Sequence, residues 1–314
     1  MSKAVNVVLK KCLNLKKDER ILIVTDSKLY NLAMEFFWHA AKISKTVKLV
    51  TMPIPNVNGT EPPKGIAEEM LKYDVEILIT TKSLSHTNAR INASKKGARV
   101  VTMPGITKQI LKRTIDIDYD NLQRLHKRLA DIVDKGKKVI ITTKSGTNLS
   151  FSIKGRKAYG RDTGLFRKKG SFGNLPTGEI FIAPVEKTAN GVYIVDASFA
   201  GIGKLRGKLE LHVKNGFVDE IKGKDAKKLE NLLNPFGKKA RNVAEFGIGT
   251  NSKARITGNI LEDEKVVGTC HIALGNNIGF GGKVSIPLHL DGIIKNPTIV
   301  IDNKKIMDYG KFLV

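Results

Sequence analysis

The sequence predicts an α/β domain with a parallel sheet over residues 1–135, followed by a mostly β, metal-binding domain over residues 136–314. Three observations carry this expectation. Short apolar runs with polar ends alternate with stretches of helical spacing up to about residue 134; beyond it, glycines and short alternating runs dominate; and the last quarter gathers imidazoles and carboxylates on strand-like segments.

The chain begins with an amphipathic stretch, residues 5–15, that ends in the basic turn Lys16-Lys17-Asp18-Glu19-Arg20. Ile21-Leu22-Ile23-Val24-Thr25-Asp26 is a continuous apolar run with a polar end, as expected of a strand buried on both faces. Helical spacing follows over residues 31–43, and residues 46–52 return as a strand. Glu61-Pro62-Pro63 opens a helix to about residue 71, residues 76–80 form the next strand, and residues 97–102 one more. Strands and helices alternating at this spacing make a parallel sheet with right-handed crossovers.

Residues 120–134 form a helix, and the texture then changes. Residues 137–143 and 149–153 flank Lys144-Ser145-Gly146-Thr147-Asn148, a turn between two strand-like runs and hence a hairpin. One helix, residues 225–233, interrupts the strands that follow. In residues 178–184, Ile180 and Ile182 share one face and Glu179 takes the other.

The final run predicts a strand in which Val284, Ile286, Leu288 and Leu290 alternate with Ser285, Pro287, His289 and Asp291, so His289 and Asp291 point the same way. An imidazole and a carboxylate in that relation can close on one divalent cation, and His271, Glu245 and Glu179 offer the same ligand types. A carboxylate on an otherwise apolar strand needs a cation or hydrogen bonds. Cys270, next to His271, falls on the opposite face and reads as a packed thiol. His39, His126 and His212 read as ordinary hydrogen-bonded or surface histidines.

The net charge of +24, from 54 Lys and Arg against 30 Asp and Glu, invites a nucleic-acid reading. The lysines are dispersed, however, without an arginine cluster, aromatic interleaving or a nucleic-acid-binding motif, so no nucleic-acid partner is expected. No apolar run long enough to span a membrane and no charged-then-apolar leader is present, and the two cysteines are far apart; the expectation is a soluble, cytoplasmic chain without disulfides. Gly201-Ile202-Gly203 and Gly279-Phe280-Gly281-Gly282 lack the strand-to-helix context of a nucleotide loop, and no Gly-x-Ser-x-Gly elbow exists.

On Ser83-Leu84-Ser85-His86-Thr87-Asn88-Ala89-Arg90, Gly97-Ala98-Arg99, Met103-Pro104-Gly105-Ile106-Thr107, Asn174-Leu175-Pro176-Thr177-Gly178-Glu179, Ala244-Glu245, the His271 segment and His289-x-Asp291, the sequence resembles the thermophilic metallo-aminopeptidases typified by aminopeptidase T. The wider relatives of that group include 2,5-dihydroxypyridine dioxygenase. The resemblance implies that Glu179, Glu245, His271, His289 and Asp291 are metal ligands, and that the chain is a homodimer holding two divalent ions in its β-rich domain. Two features depart from the peptidases: Ile278 stands where they carry a tyrosine, and the carboxylate they place shortly before the first histidine has no direct match, although Glu262, Asp263 and Glu264 lie slightly upstream.

The expected function is therefore a metal-dependent aminopeptidase. Zn, Co or Mn would activate water against an N-terminal, leucine-type peptide bond, with Glu264 and His86 as the candidate catalytic residues. The alternative is a mononuclear Fe(II) ring-cleaving dioxygenase in which His271, His289 and Asp291 form a two-His-one-carboxylate face and His86 serves as a base toward a small aromatic substrate. A third reading is a metal-binding relative without catalysis.

Overall fold

Continuous apolar runs flanked by helices turn inward on both faces, and in the first unit of this chain they form a parallel sheet. The computed structural model describes residues 1–160 and 163–314, which divide into two compact units: Met1–Tyr119 with Gly164–Thr177, and Asp120–Thr163 with Gly178–Val314. In the first unit β1 (Arg20–Asp26), β2 (Thr46–Met52), β3 (Val75–Ile79), β4 (Arg99–Thr102) and β5 (Phe172–Asn174) lie side by side in the order β2-β1-β3-β4-β5, all parallel. Every residue of β3 and β4 is buried, whereas the edge strand β2 alternates.

Asp26, the polar end of β1, closes onto the loop after β3: its carboxylate accepts from the Thr81 amide and hydroxyl and from the Lys28 and Leu29 amides. Glu76 is the second residue of β3, level with Leu22 and Val100, fully buried and with neither carboxyl oxygen hydrogen-bonded. Burial alone pushes its carboxyl well above the ordinary value.

The units divide the chain differently from the boundary at residue 135. The helix Tyr119–Lys135 gives Leu129, Ala130 and Val133 to the second unit's core, and β5 returns to the first sheet from beyond the hairpin. A three-residue strand so far along the chain has no periodicity to betray it. Two short helices, Asn88–Lys95 and Lys108–Thr114, also escaped the sequence reading; their hydrophobic stripes are brief, but Thr87 and Thr107 cap them through their hydroxyls.

The second unit contains two antiparallel sheets. One has eight strands and includes the expected hairpin, Lys138–Thr142 with Asn148–Ser152. The other runs from the short strands Gly203–Lys204 and Ser198–Phe199 through β9 (His289–Lys295), β8 (Thr269–Gly275) and β7 (Val243–Gly249) to β6 (Glu179–Ile182). Alternation gives this sheet two unlike faces. Ile180, Ile182, Phe246, Ile248, Cys270, Ile272, Leu274, Leu290 and Ile294 join the apolar core, so the thiol of Cys270 is packed away. Glu179, Glu245, His271, His289 and Asp291 occupy the opposite set of positions.

The strand expected over residues 284–291 starts only at His289 and continues to Lys295. Pro287 has no amide hydrogen, and the Val284 amide donates to Asn277 Oδ1 at 2.8 Å instead of joining a ladder. The consequence that mattered survives, because His289 and Asp291 both lie within β9. Among the described residues, no helix is long and apolar enough to cross a membrane.

Candidate metal centre

Register explains how residues more than a hundred positions apart meet. Glu245 of β7 lies opposite Ala273 of β8, which lies opposite Asp291 of β9; in the same way Gly247 lies opposite His271 and Gly275 opposite His289. Ala273 presents only a methyl group between the two carboxylates. A Cβ built on Gly247 would lie 2.0 Å from His271 Nε2, so glycine is what lets that imidazole lie across β7.

The distances are short and the partners all prefer a positive charge. His289 Nε2 is 3.3 Å from Glu245 Oε2 and 3.4 Å from Asp291 Oδ1, while His271 Nε2 is 3.3 Å from Glu245 Oε1 and 3.5 Å from Glu179 Oε2. His289 Nδ1 is 2.8 Å from the Asn276 carbonyl oxygen, to which it donates, so in the neutral ring Nε2 is a lone pair facing two carboxylates. A shared cation resolves that arrangement, since ligand atoms about 2.0–2.2 Å from one ion stand roughly 3–3.5 Å from each other. Two groups have all their donor atoms within 4.8 Å of one another: Glu179, Glu245 and His271, and Glu245, His289 and Asp291. Two buried atoms, Glu179 Oε2 and His271 Nδ1, have no hydrogen-bond partner. The donor chemistry and the orphaned carboxylate oxygen both fit a divalent ion.

The electrostatics agree. Burial by itself would lower His271, but the hydrogen bond with Glu245 and the charges of Glu179 and Asp291 outweigh it and raise the imidazole to about 9. His289 is raised well above its ordinary value against the same burial penalty, chiefly by Asp291. Burial would raise Asp291, yet His289 holds it down at about 2. The site is a well of negative potential.

The remaining candidates do not belong to either donor group. Glu264 pairs with the Lys265 ammonium; burial raises its carboxyl to about 8 despite that partner. Glu262 accepts from the Arg255 amide at 3.0 Å, and Asp263 from the Ser198 hydroxyl at 2.6 Å and the Thr257 amide at 2.7 Å, so both serve local structure. His86 is exposed in a turn of the first unit, ahead of the helix Asn88–Lys95, whereas all five clustered residues belong to the second. Of the expected triad, His289 and Asp291 share one donor group with Glu245, and His271 shares the other with Glu245 and Glu179. His126 is a buried structural histidine between the Gly160 carbonyl, 2.8 Å away, and the Thr250 hydroxyl, 2.6 Å away. Sequence reasoning missed Lys265, whose signal was slight, a single lysine after three acidic residues. It also missed the aromatic residues beside His289: Phe280 meets that imidazole edge-on at 5.8 Å and Phe181 at 5.6 Å, and Phe181 stacks on Tyr159 at 5.7 Å.

A family model described as NicX, 2,5-dihydroxypyridine 5,6-dioxygenase, matches residues 1–314. The chain belongs to the NicX family. A 2,5-dihydroxypyridine 5,6-dioxygenase of Pseudomonas putida KT2440 is 21% identical over 260 residues, covering 78% of this chain and 73% of that protein. The solved structure of 2,5-dihydroxypyridine dioxygenase from Pseudomonas putida KT2440 superposes with a TM-score of 0.84 at 18% identity, covering 100% of this chain and 96% of that one. Wild-type AmpT from Thermus thermophilus superposes with a TM-score of 0.75 at 16% identity, covering 100% and 98%. These likenesses share the arrangement of a parallel sheet with helices followed by antiparallel sheets. The cofactor suited to this NicX-family chain is a divalent metal ion.

Proposed function

We propose that the chain is a mononuclear Fe(II) dioxygenase that opens a hydroxylated aromatic ring of the dihydroxypyridine type. The observation that carries this reading is the group of Glu245, His289 and Asp291, closed around His289 Nε2 at 3.3–3.4 Å and flanked by an aromatic wall. Membership of the NicX family supports it, as does Ile278, 54% exposed, in place of the peptidase tyrosine.

Glu245, His289 and Asp291 would hold the iron, with His289 oriented by its bond to the Asn276 carbonyl. Fe(II), when bound, supplies the electron chemistry that allows dioxygen to react with a closed-shell ring. The rest falls to side chains. Phe280, Phe181 and Tyr159 offer apolar ring faces and edges against which a flat substrate packs and from which water is displaced. Glu179 Oε2, buried and without a hydrogen-bond partner, is placed to accept the proton of a ring hydroxyl as it binds.

The test is anaerobic reconstitution with Fe(II), followed by 2,5-dihydroxypyridine and oxygen. Ring absorbance should disappear with uptake of one O2 per ring. His289→Ala should lose both iron and ring cleavage, whereas Glu179→Gln should retain one iron per chain. Release of leucine from a chromogenic amide with no loss of ring absorbance would reverse the assignment. One observation favours that second reading, a two-metal aminopeptidase: Glu245 belongs to both donor groups, as a carboxylate bridging two ions would.

A further inference from the structure

Lys265 is the most deeply buried cation beside the cluster, its side chain only 1% exposed. Its backbone is fixed at both ends: the amide donates to the Glu262 carbonyl at 3.0 Å, and its carbonyl accepts from the Asn251 amide at 2.8 Å. From there Nζ reaches Glu179 Oε1 at 2.7 Å and pairs with Glu264. One oxygen of Glu179 is thus bound to an ammonium, while the other, Oε2, points to His271 Nε2 at 3.5 Å. An ion held by Glu179, Glu245 and His271 would share the Glu179 carboxylate with that ammonium, two cations on one largely buried carboxylate.

We propose that the Lys265 ammonium takes the place of a second metal ion, neutralising Glu179 and limiting the chain to one divalent ion at Glu245, His289 and Asp291. The inference rests on the single-ion reading above and deepens it, since it names the residue that sets the metal count. Glu179, Glu245 and Asp291 put three carboxylates in the cluster, and one ammonium and one divalent ion balance them. Without the ammonium, the donor group of Glu179, Glu245 and His271 is freed, together with the charge that would attract a second ion. Lys265 is a positioning residue in this scheme, acting through Glu179.

The experiment loads wild type, Lys265→Met and Lys265→Arg with Mn2+ and reads ions per chain by elemental analysis and the electron paramagnetic resonance spectrum. Wild type and Lys265→Arg should take one ion and give the six-line signal of isolated Mn2+. Lys265→Met should take two and give an exchange-coupled signal. Should Lys265→Met not fold, the double variant Lys265→Met/Glu264→Gln, which also replaces the buried acid paired with the ammonium, takes its place with the same expectation. Two ions in wild type, or one ion in the folded variant that lacks the ammonium, overturns the inference. The second of these leaves the single-ion reading standing, whereas a wild type that binds no Mn2+ overturns both.

Discussion

Gly247→Ala should cost the chain most of its metal while leaving it folded. The new methyl group would lie 2.0 Å from His271 Nε2 and 2.2 Å from Cε1, so the imidazole must swing away from Glu245 and Glu179. Removing a partner that orients a metal-holding carboxylate, as His271 orients Glu245, typically lowers affinity about 10–100-fold, and forcing a buried ring aside costs roughly 1–3 kcal/mol of stability. Gly65→Ala serves as the control, because a Cβ there meets nothing within 4 Å. Metal retained after exhaustive dialysis distinguishes the two: the control should keep its full complement and Gly247→Ala should not. A Gly247→Ala protein that holds metal as tightly as wild type would mean that His271 does not support Glu245 in holding the ion.

The second large effect is a gain. Glu76→Leu should stabilise the protein, by about 1–3 kcal/mol from the buried polar atoms alone. The pH dependence identifies the cause. The folded-state carboxyl is raised well above 4.5, so the unfolded chain releases its proton first as pH rises. The stability present below the unfolded value is therefore lost with rising pH, by about 1.4 kcal/mol per unit, until the folded carboxyl also ionises. The advantage of Glu76→Leu in urea melts should accordingly widen from pH 5 to pH 7. An advantage that stays constant, or a variant weaker than wild type, would mean that Glu76 has a partner in solution.

The same two residues show what the sequence could and could not disclose. The strand around Glu76 was legible because the residues after it are aliphatic, but nothing local says that a carboxylate near its start lies between Leu22 and Val100 without a hydrogen bond. Gly247 was one glycine among 29, and its role appears only when register sets it opposite His271. The residues that cluster were readable because side-chain period does not depend on where a strand begins: His289 and Asp291 share a face even though β9 starts five residues later than expected. Lys265, Ala273 and the aromatic wall were not readable, since each matters through a neighbour supplied by another strand.

The two unlike faces of the sheet that carries β6 to β9 make strand pairing its own proofreader. A slip of one residue in β9 would drive His289 and Asp291 into the layer of Phe246, Ile272 and Leu274 and turn Leu290 out beside Glu245. Such a misfold strands ionisable groups in hydrocarbon and is strongly disfavoured. The acidic patch thus guards the assembly of the sheet before any ion arrives, and charge placed for chemistry also keeps the newly made chain from settling into a wrong alignment.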